Sequence, residues 1–292
     1  MKNINFKNYI NEFKKRNYVG NLYGKEISII SKSDLCIFDH NYKFIKKIIS
    51  KDSKILEIGP GNGHFIDWLL LNGYKNITCV DLDEDNIIRL KNKYSKINSI
   101  RCYSEDAISF LSKTKEKFDL IISRQVIEHL FYDQIFKYFE NSAKCLSSNG
   151  FLITETINSS NLIMGNYMRY SDFSHHYSFT PRSIAQFSEP YFVNEFRNYY
   201  FPSLFKIIFY YFSKKINNQY SLFLNYLKLK NNQLDDRRIL SLKNFLKKIK
   251  IAIEYVSYSY YWNYESVKFS SKYLPNEKIL TPFFIAISKL KK

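Results

Sequence analysis

Lys54-Ile-Leu-Glu-Ile-Gly-Pro-Gly-Asn-Gly63 is a short apolar run that breaks into three glycines within five residues. An apolar stretch of that length bounded by turn residues predicts a buried strand. His64–Asn72 follows, with Phe65, Trp68 and Leu69 at helical spacing, and Gly73 ends the helix. Strand, glycine turn and helix make one βα unit. Its glycines let a ligand approach the backbone and the free N–H groups of the helix start.

The unit repeats outward from there. Asn76–Asp81 predicts a second strand, Asp83–Tyr94 a helix opened by acids, and Ile97–Tyr103 a third strand. Phe118–Ser123 predicts the fourth, Asp133–Leu146 a helix ending at Asn149-Gly150, and Phe151–Thr156 the fifth. Beyond Pro181 come a helix at Arg182–Ser188, a strand at Tyr191–Asn198 and a last strand at Thr281–Ser288. Strands alternating with helices predict an α/β, doubly wound and mostly parallel sheet, with ligands beyond the carboxyl ends of its strands. Residues 1–50 read as an N-terminal helical cap with Phe6, Tyr9, Ile10 and Phe13 at helical spacing, 51–199 as the core, 200–278 as a helical insertion and 279–292 as the last strand and tail.

The chain has 292 residues, 18% aromatic, with Lys+Arg 44 against Asp+Glu 27 and a net charge of +17. An AT-rich genome writes Lys, Asn, Ile, Tyr and Phe into any protein, and attraction to phosphate accounts for the same excess. The charge is uneven: residues 200–250 carry 11 Lys/Arg against Asp235 and Asp236. No apolar run approaches the ~20 residues that cross a bilayer, and Met1–Arg16 has no signal-type core, so a cytoplasmic protein is expected. Cys36, Cys79, Cys102 and Cys145 form no Cys-x-x-Cys pair and are expected as small buried thiols.

Chemistry concentrates at the predicted strand ends. The dinucleotide fingerprint needs a glycine where this chain has His64, which disfavours a nicotinamide cofactor. Asp81 ends the second strand, where a carboxylate can accept both ribose hydroxyls of an adenosine, and Asp106 follows the third, in reach of an adenine amino group. Arg124-Gln-Val-Ile-Glu-His129 lies just past the fourth.

Glu57-x-Gly-x-Gly-x-Gly63, Val80-Asp81, Glu105-Asp106-Ala107 and Phe118-Asp119 through Val126-Ile-Glu-His-Leu130 together resemble the class I S-adenosylmethionine-dependent methyltransferases, over roughly residues 40–200 plus the last strand. The resemblance implies a Rossmann-like seven-stranded sheet and S-adenosyl-L-methionine as cofactor. It implies binding by Glu57, Gly59, Pro60, Gly61, Gly63, Asp81, Leu82, Asp106, Ala107, Ser123 and Arg124; Gln125 departs from the usual Asp, which leaves its role open.

Arg169-Tyr-Ser-Asp-Phe-Ser-His-His176 resembles an Asp-Phe-Thr-His motif of a methyltransferase subgroup found in bacterial capsule and lipopolysaccharide clusters, with Ser174 replacing Thr. Methyl transfer to a hydroxyl needs a base, and His175 is the first candidate, with His129 at the rim as the second. Glu128, Arg169, Tyr170, Asp172 and His176 are the substrate-side candidates. Asp172, His175 and His176 offer metal-type donors but lack a third-strand carboxylate partner, so no metal is expected. His40 and His64 read as structural.

The leading reading is a sugar O-methyltransferase acting on a nucleotide-activated, phosphorylated or lipid-linked intermediate. An RNA or protein methyltransferase is the alternative, and a cofactor-binding scaffold without turnover the non-enzymatic one. The basic, aromatic stretch 200–264 reads as a lid, a homodimer surface or a peripheral contact with anionic membrane. Nucleic acid is disfavoured there, since no RNA-binding module accompanies it.

Overall fold

The computed structural model describes residues 30, 32–199, 266–274, 276 and 278–291. The expected helical spacing at Phe6–Phe13 and most of the basic insertion lie outside them, as do the expectations of its role. In chain order the elements begin with α1 (Lys32–Tyr42), α2 (Ile45–Ile48), β1 (Ile55–Ile58), α3 (His64–Leu71), β2 (Ile77–Asp81), α4 (Glu84–Lys93), β3 (Ile100–Ser104) and α5 (Ala107–Lys113). They continue with β4 (Phe118–Arg124), a single 3-10 turn (Ile127–His129), α6 (Tyr132–Cys145), β5 (Leu146–Ile157), α7 (Met164–Ser171), α8 (Pro181–Ser188) and β6 (Phe192–Asn198). A helix at 266–273, here α9, precedes β7 (Phe283–Leu290).

The seven strands form one sheet in the order β3-β2-β1-β4-β5-β7-β6. β1 pairs parallel with β2 on one side and β4 on the other, whereas β7 runs antiparallel to both β5 and β6. The expected Rossmann-like, seven-stranded, mostly parallel sheet is therefore what the chain forms. A strand covered on both faces has no polar side, and all four residues of β1 are buried.

Strand alternation divides the apolar residues into two clusters, one on each face. Ile55, Leu120 and Ile122 join Tyr42, Phe65 and Trp68 on the α1/α3 face. Leu56, Ile58 and Ile121 join Tyr138, Phe139 and Ile184 on the α6/α8 face. No helix of the described residues is long and apolar enough to cross a membrane.

Two local expectations differ from the structure. Leu146–Gly150, read as a helix end and its turn, instead begins β5, with Leu146 pairing Phe118 ahead of an irregularity in the ladder. Gly150 is needed for packing: a Cβ there would stand 2.9 Å from the Phe118 carbonyl oxygen. Cys36 is exposed rather than buried, while Cys79 and Cys102 face each other across β2 and β3 as free thiols.

The glycine turn supports α3 from below. Gly63 occupies the left-handed region at φ 74° and is the helix N-cap residue. Tyr94 anchors it, its hydroxyl shared between the Gly63 carbonyl at 2.8 Å and Asp67 Oδ1 at 2.8 Å. A Cβ at this position would lie 2.6 Å from that hydroxyl and 2.8 Å from Leu90 Cδ2. Gly63→Ala therefore combines backbone strain with a clash, and should lower the unfolding free energy in denaturant titrations by about 2 kcal/mol or more. A variant as stable as the parent would contradict this packing.

Candidate active site

A cavity of about 600 Å³ opens at the carboxyl ends of β1 to β4. Gly59, Pro60 and Gly61 line it from the first turn, Asp81 and Leu82 from the end of β2, and Asp106 and Ala107 from the start of α5. Arg124, Gln125 and His129 close the β4 side, and Asp172 reaches it from the loop after α7. Most of the expected binding residues thus converge on one wall, although they come from segments far apart in the chain. His64 borders the same space.

The carboxylates of that wall are held by short local contacts. Asp81 accepts from the Asp83 N–H at 3.0 Å and from Asn86 Nδ2 at 2.9 Å. Burial raises its pKa, and these donors pull in the opposite direction. Asp106 caps α5, accepting from the Ser109 N–H at 2.8 Å, so one residue both starts a helix and faces the cavity.

Arg124 is fixed by residues the sequence reading did not single out. Its Nε lies 3.2 Å from Glu155 Oε2 and 3.2 Å from the Tyr42 hydroxyl, which itself donates to Glu155. The guanidinium stacks 4.5 Å from the centre of the Phe38 ring. Burial pushes the Glu155 carboxyl up to about 8. Gln125 adopts a left-handed backbone at φ 53°. It is tied to Glu155 through its backbone N–H at 2.9 Å and its side-chain amide at 3.3 Å. Asp34 and Phe38 of α1 and Tyr199 after β6 complete the cavity.

Other expected residues stand elsewhere. Ser123 is fully buried on the opposite face, 2.8 Å from the Tyr138 hydroxyl, because the two-residue strand period sends it away from Arg124. Gly63 supports α3, and Glu57 is buried under the turn; neither borders the cavity. His175 also lies off the wall, behind His129, the ring centres 4.6 Å apart. Arg169 donates to the His176 carbonyl, His176 stacks on Phe131, and Tyr170 is 79% exposed; none of these three lines the cavity. Glu128 is fully buried and accepts from Thr156 Oγ1 at 3.0 Å.

Glu57 yields a pH test. Burial pushes its carboxyl up to about 8 despite the nearby Arg124, well above the ~4.3 of an unfolded chain. Between these values the folded state holds the extra proton, so stability falls as pH rises through that window. The slope is up to about 1.4 kcal/mol per pH unit. Glu57→Gln should flatten the fall in unfolding free energy between pH 6 and pH 8. Equal slopes for parent and variant would show that Glu57 is already ionised.

Comparison with known proteins agrees with this geometry. A family model described as a methyltransferase domain matches residues 33–189, more than half of the chain. Ribosomal protein L11 methyltransferase of Staphylococcus haemolyticus is 29% identical over 120 residues, 39% of this chain and 35% of that protein. Ubiquinone biosynthesis O-methyltransferase of Pelagibacter ubique is 28% identical over 108 residues, 37% of this chain and 43% of that protein. The chain thus spans less than half the length of these curated relatives. A SAM dependent methyltransferase from Archaeoglobus fulgidus shares the fold over 97% of this chain and 99% of its own, at 17% identity and a TM-score of 0.52. The chain belongs to the methyltransferase-domain family and has the fold of the S-adenosylmethionine-dependent methyltransferases.

Proposed function

We propose that this chain transfers the methyl group of S-adenosylmethionine to a hydroxyl of a small polar acceptor. The observation that carries the reading is the chemistry of the cavity wall. Among the described residues, Asp34, Asp81, Asp83, Glu105, Asp106 and Asp172 line it against the single arginine Arg124. Such a wall suits a ligand bearing a sulfonium and an ammonium group, and it opposes a pyrophosphate.

Asp81 and Asp106 are the residues to hold the ribose and adenine, with Gly61 leaving room for the ligand against the backbone, whereas Gly59 makes room for Val126. Arg124 and Gln125, both tied to Glu155, are proposed at the methionine end. When bound, the cofactor supplies a methyl whose bond to sulfur breaks as a bond to the acceptor oxygen forms, the electron pair staying on sulfur and the hydroxyl proton being lost. Phe38 and Tyr199 line this space with apolar rings, which favours the exclusion of water and the alignment that an in-line displacement asks of a protein.

The acceptor class is a sugar of surface-polysaccharide synthesis, supported by the resemblance of the Asp172–His175 loop to that subgroup's motif. A phosphate carried by such an acceptor would sit outside the acid-lined wall. The names of the relatives keep a second reading in view: an L11 protein methyltransferase, and a ribosomal RNA small subunit methyltransferase A of Coxiella burnetii, 35% identical over 78 residues.

Calorimetry with S-adenosylmethionine should show one site of micromolar affinity, weakened at least tenfold in Asp81→Ala, which is about 1.4 kcal/mol. Parent-like binding by that variant would contradict the reading. With methyl-labelled cofactor, label in nucleotide sugars or lipid-linked glycans supports the sugar acceptor. Label in ribosomal RNA or protein supports the second reading instead.

A further inference from the structure

Behind the acceptor end of the cavity stand Glu128, His129 and His175, one ligand-type atom from each lying within 4.8 Å of the others. The hydrogen bonds around them fix which nitrogen of each ring carries the proton. Ser174 Oγ donates its single hydrogen to Asp172 Oδ1 at 2.7 Å, so toward His129 Nδ1, 2.8 Å away, it can only accept. His129 therefore carries its hydrogen on Nδ1 and a lone pair on Nε2. His175 Nδ1 lies 2.9 Å from the Met168 carbonyl oxygen, which can only accept, so in the neutral ring Nε2 carries the lone pair.

The carboxylates complete the donor set. Glu128 Oε2 accepts from Thr156, but Oε1 is buried with no hydrogen-bond partner among the described residues. Asp172 Oδ2 lies 3.9 Å from His175 Nε2, an ion pair only when that ring is protonated. A buried carboxylate oxygen left without a hydrogen bond, as Glu128 Oε1 is, is costly unless a cation joins it. Imidazoles whose second nitrogen donates to a carbonyl, or to a carboxylate through a hydroxyl, are the usual supports of a metal centre.

We propose that Glu128, His129 and His175 bind one divalent transition-metal ion of the zinc, cobalt or manganese class, with an open position toward the cavity for an oxygen of the acceptor. Two nitrogens and one carboxylate oxygen with an open fourth site match the donor set of catalytic zinc. Ligands about 2 Å from an ion stand ~3.3 Å apart, so modest side-chain rotation closes the present cluster. Asp172 holds His129 through Ser174, and its second oxygen lies beside the site. No carboxylate partner comes from the third strand; Glu128, after the fourth, is the one the fold delivers, and Thr156 on β5 steadies it.

The use of the ion rests on the methyl-transfer reading, though its binding does not. An acceptor hydroxyl coordinated there loses its proton to solvent more readily, and this replaces His175 as the general base.

The test uses the untagged full chain, stripped of metal by chelator and dialysed. Elemental analysis after reconstitution with Zn2+ should give about one equivalent. Co2+ should give visible absorption of nitrogen and oxygen ligation. Glu128→Gln and His175→Ala should each weaken Zn2+ at least tenfold, while calorimetry shows S-adenosylmethionine affinity within threefold of the parent. Less than a fifth of an equivalent in the parent would overturn the proposal. So would parent-like Zn2+ affinity in both variants, or a Co2+ spectrum dominated by thiolate bands from Cys79 and Cys102. The parent's stoichiometry and spectrum decide even where a variant fails to fold. A parent that binds metal but not the cofactor would contradict the methyltransferase reading alone.

Discussion

Parallel pairing of β1 with β2 on one side and β4 on the other is the constraint on which the site depends. It forces the chain to leave β1 through a turn tight enough to start a helix at once. Gly59, Gly61 and Gly63 all take positive φ to do so. It also aligns the carboxyl ends of neighbouring strands, so that Asp81 and Arg124 arrive at one cavity through sheet register alone. The Gly59 N–H donates to the Val80 carbonyl at 2.9 Å, tying the turn to the strand that presents Asp81.

Around that constraint the two faces of the sheet do different work. The α1/α3 face brings Phe38 and Tyr42 over Arg124, with Glu155 beneath as its counter-charge. On the other face, Ser123, Tyr138 and Thr154 form a closed hydroxyl chain. That chain joins β4, α6 and β5 without touching the cavity. The loop 172–176 is clamped from below, since the N–H groups of His176 and Tyr177 both donate to the Glu128 carbonyl.

How much was legible in the sequence follows from the range of the interactions involved. The strands, the glycine turn, Asp81 and Asp106 depend on local pattern, and they were readable from spacing alone. Ser123 was assigned to the site because a motif reads as a line, whereas a strand sends successive side chains to opposite faces. Leu146–Gly150 carries a helix-ending Asn-Gly, but packing of Gly150 against the Phe118 carbonyl makes it strand. Tyr42, Glu155 and Tyr199 left no trace in the sequence reading, since their roles arise only from contacts across many tens of residues. Glu128 was in view as a substrate-side residue, but nothing in its spacing placed it against His175.

The charge that stands out in the composition also divides. The cavity is walled by acids, and the excess of lysine lies in 200–250. The overall charge of +17 therefore says little about the ligand of the core. The acid-lined cavity at the ends of β1 to β4 is the proposed cofactor site. A crystal structure with S-adenosylhomocysteine decides the assignment. Asp81 is expected on the ribose hydroxyls, Asp106 at the adenine and the amino-acid end beside Arg124 and Gln125; a ligand bound elsewhere, or a ribose out of reach of Asp81, would contradict it.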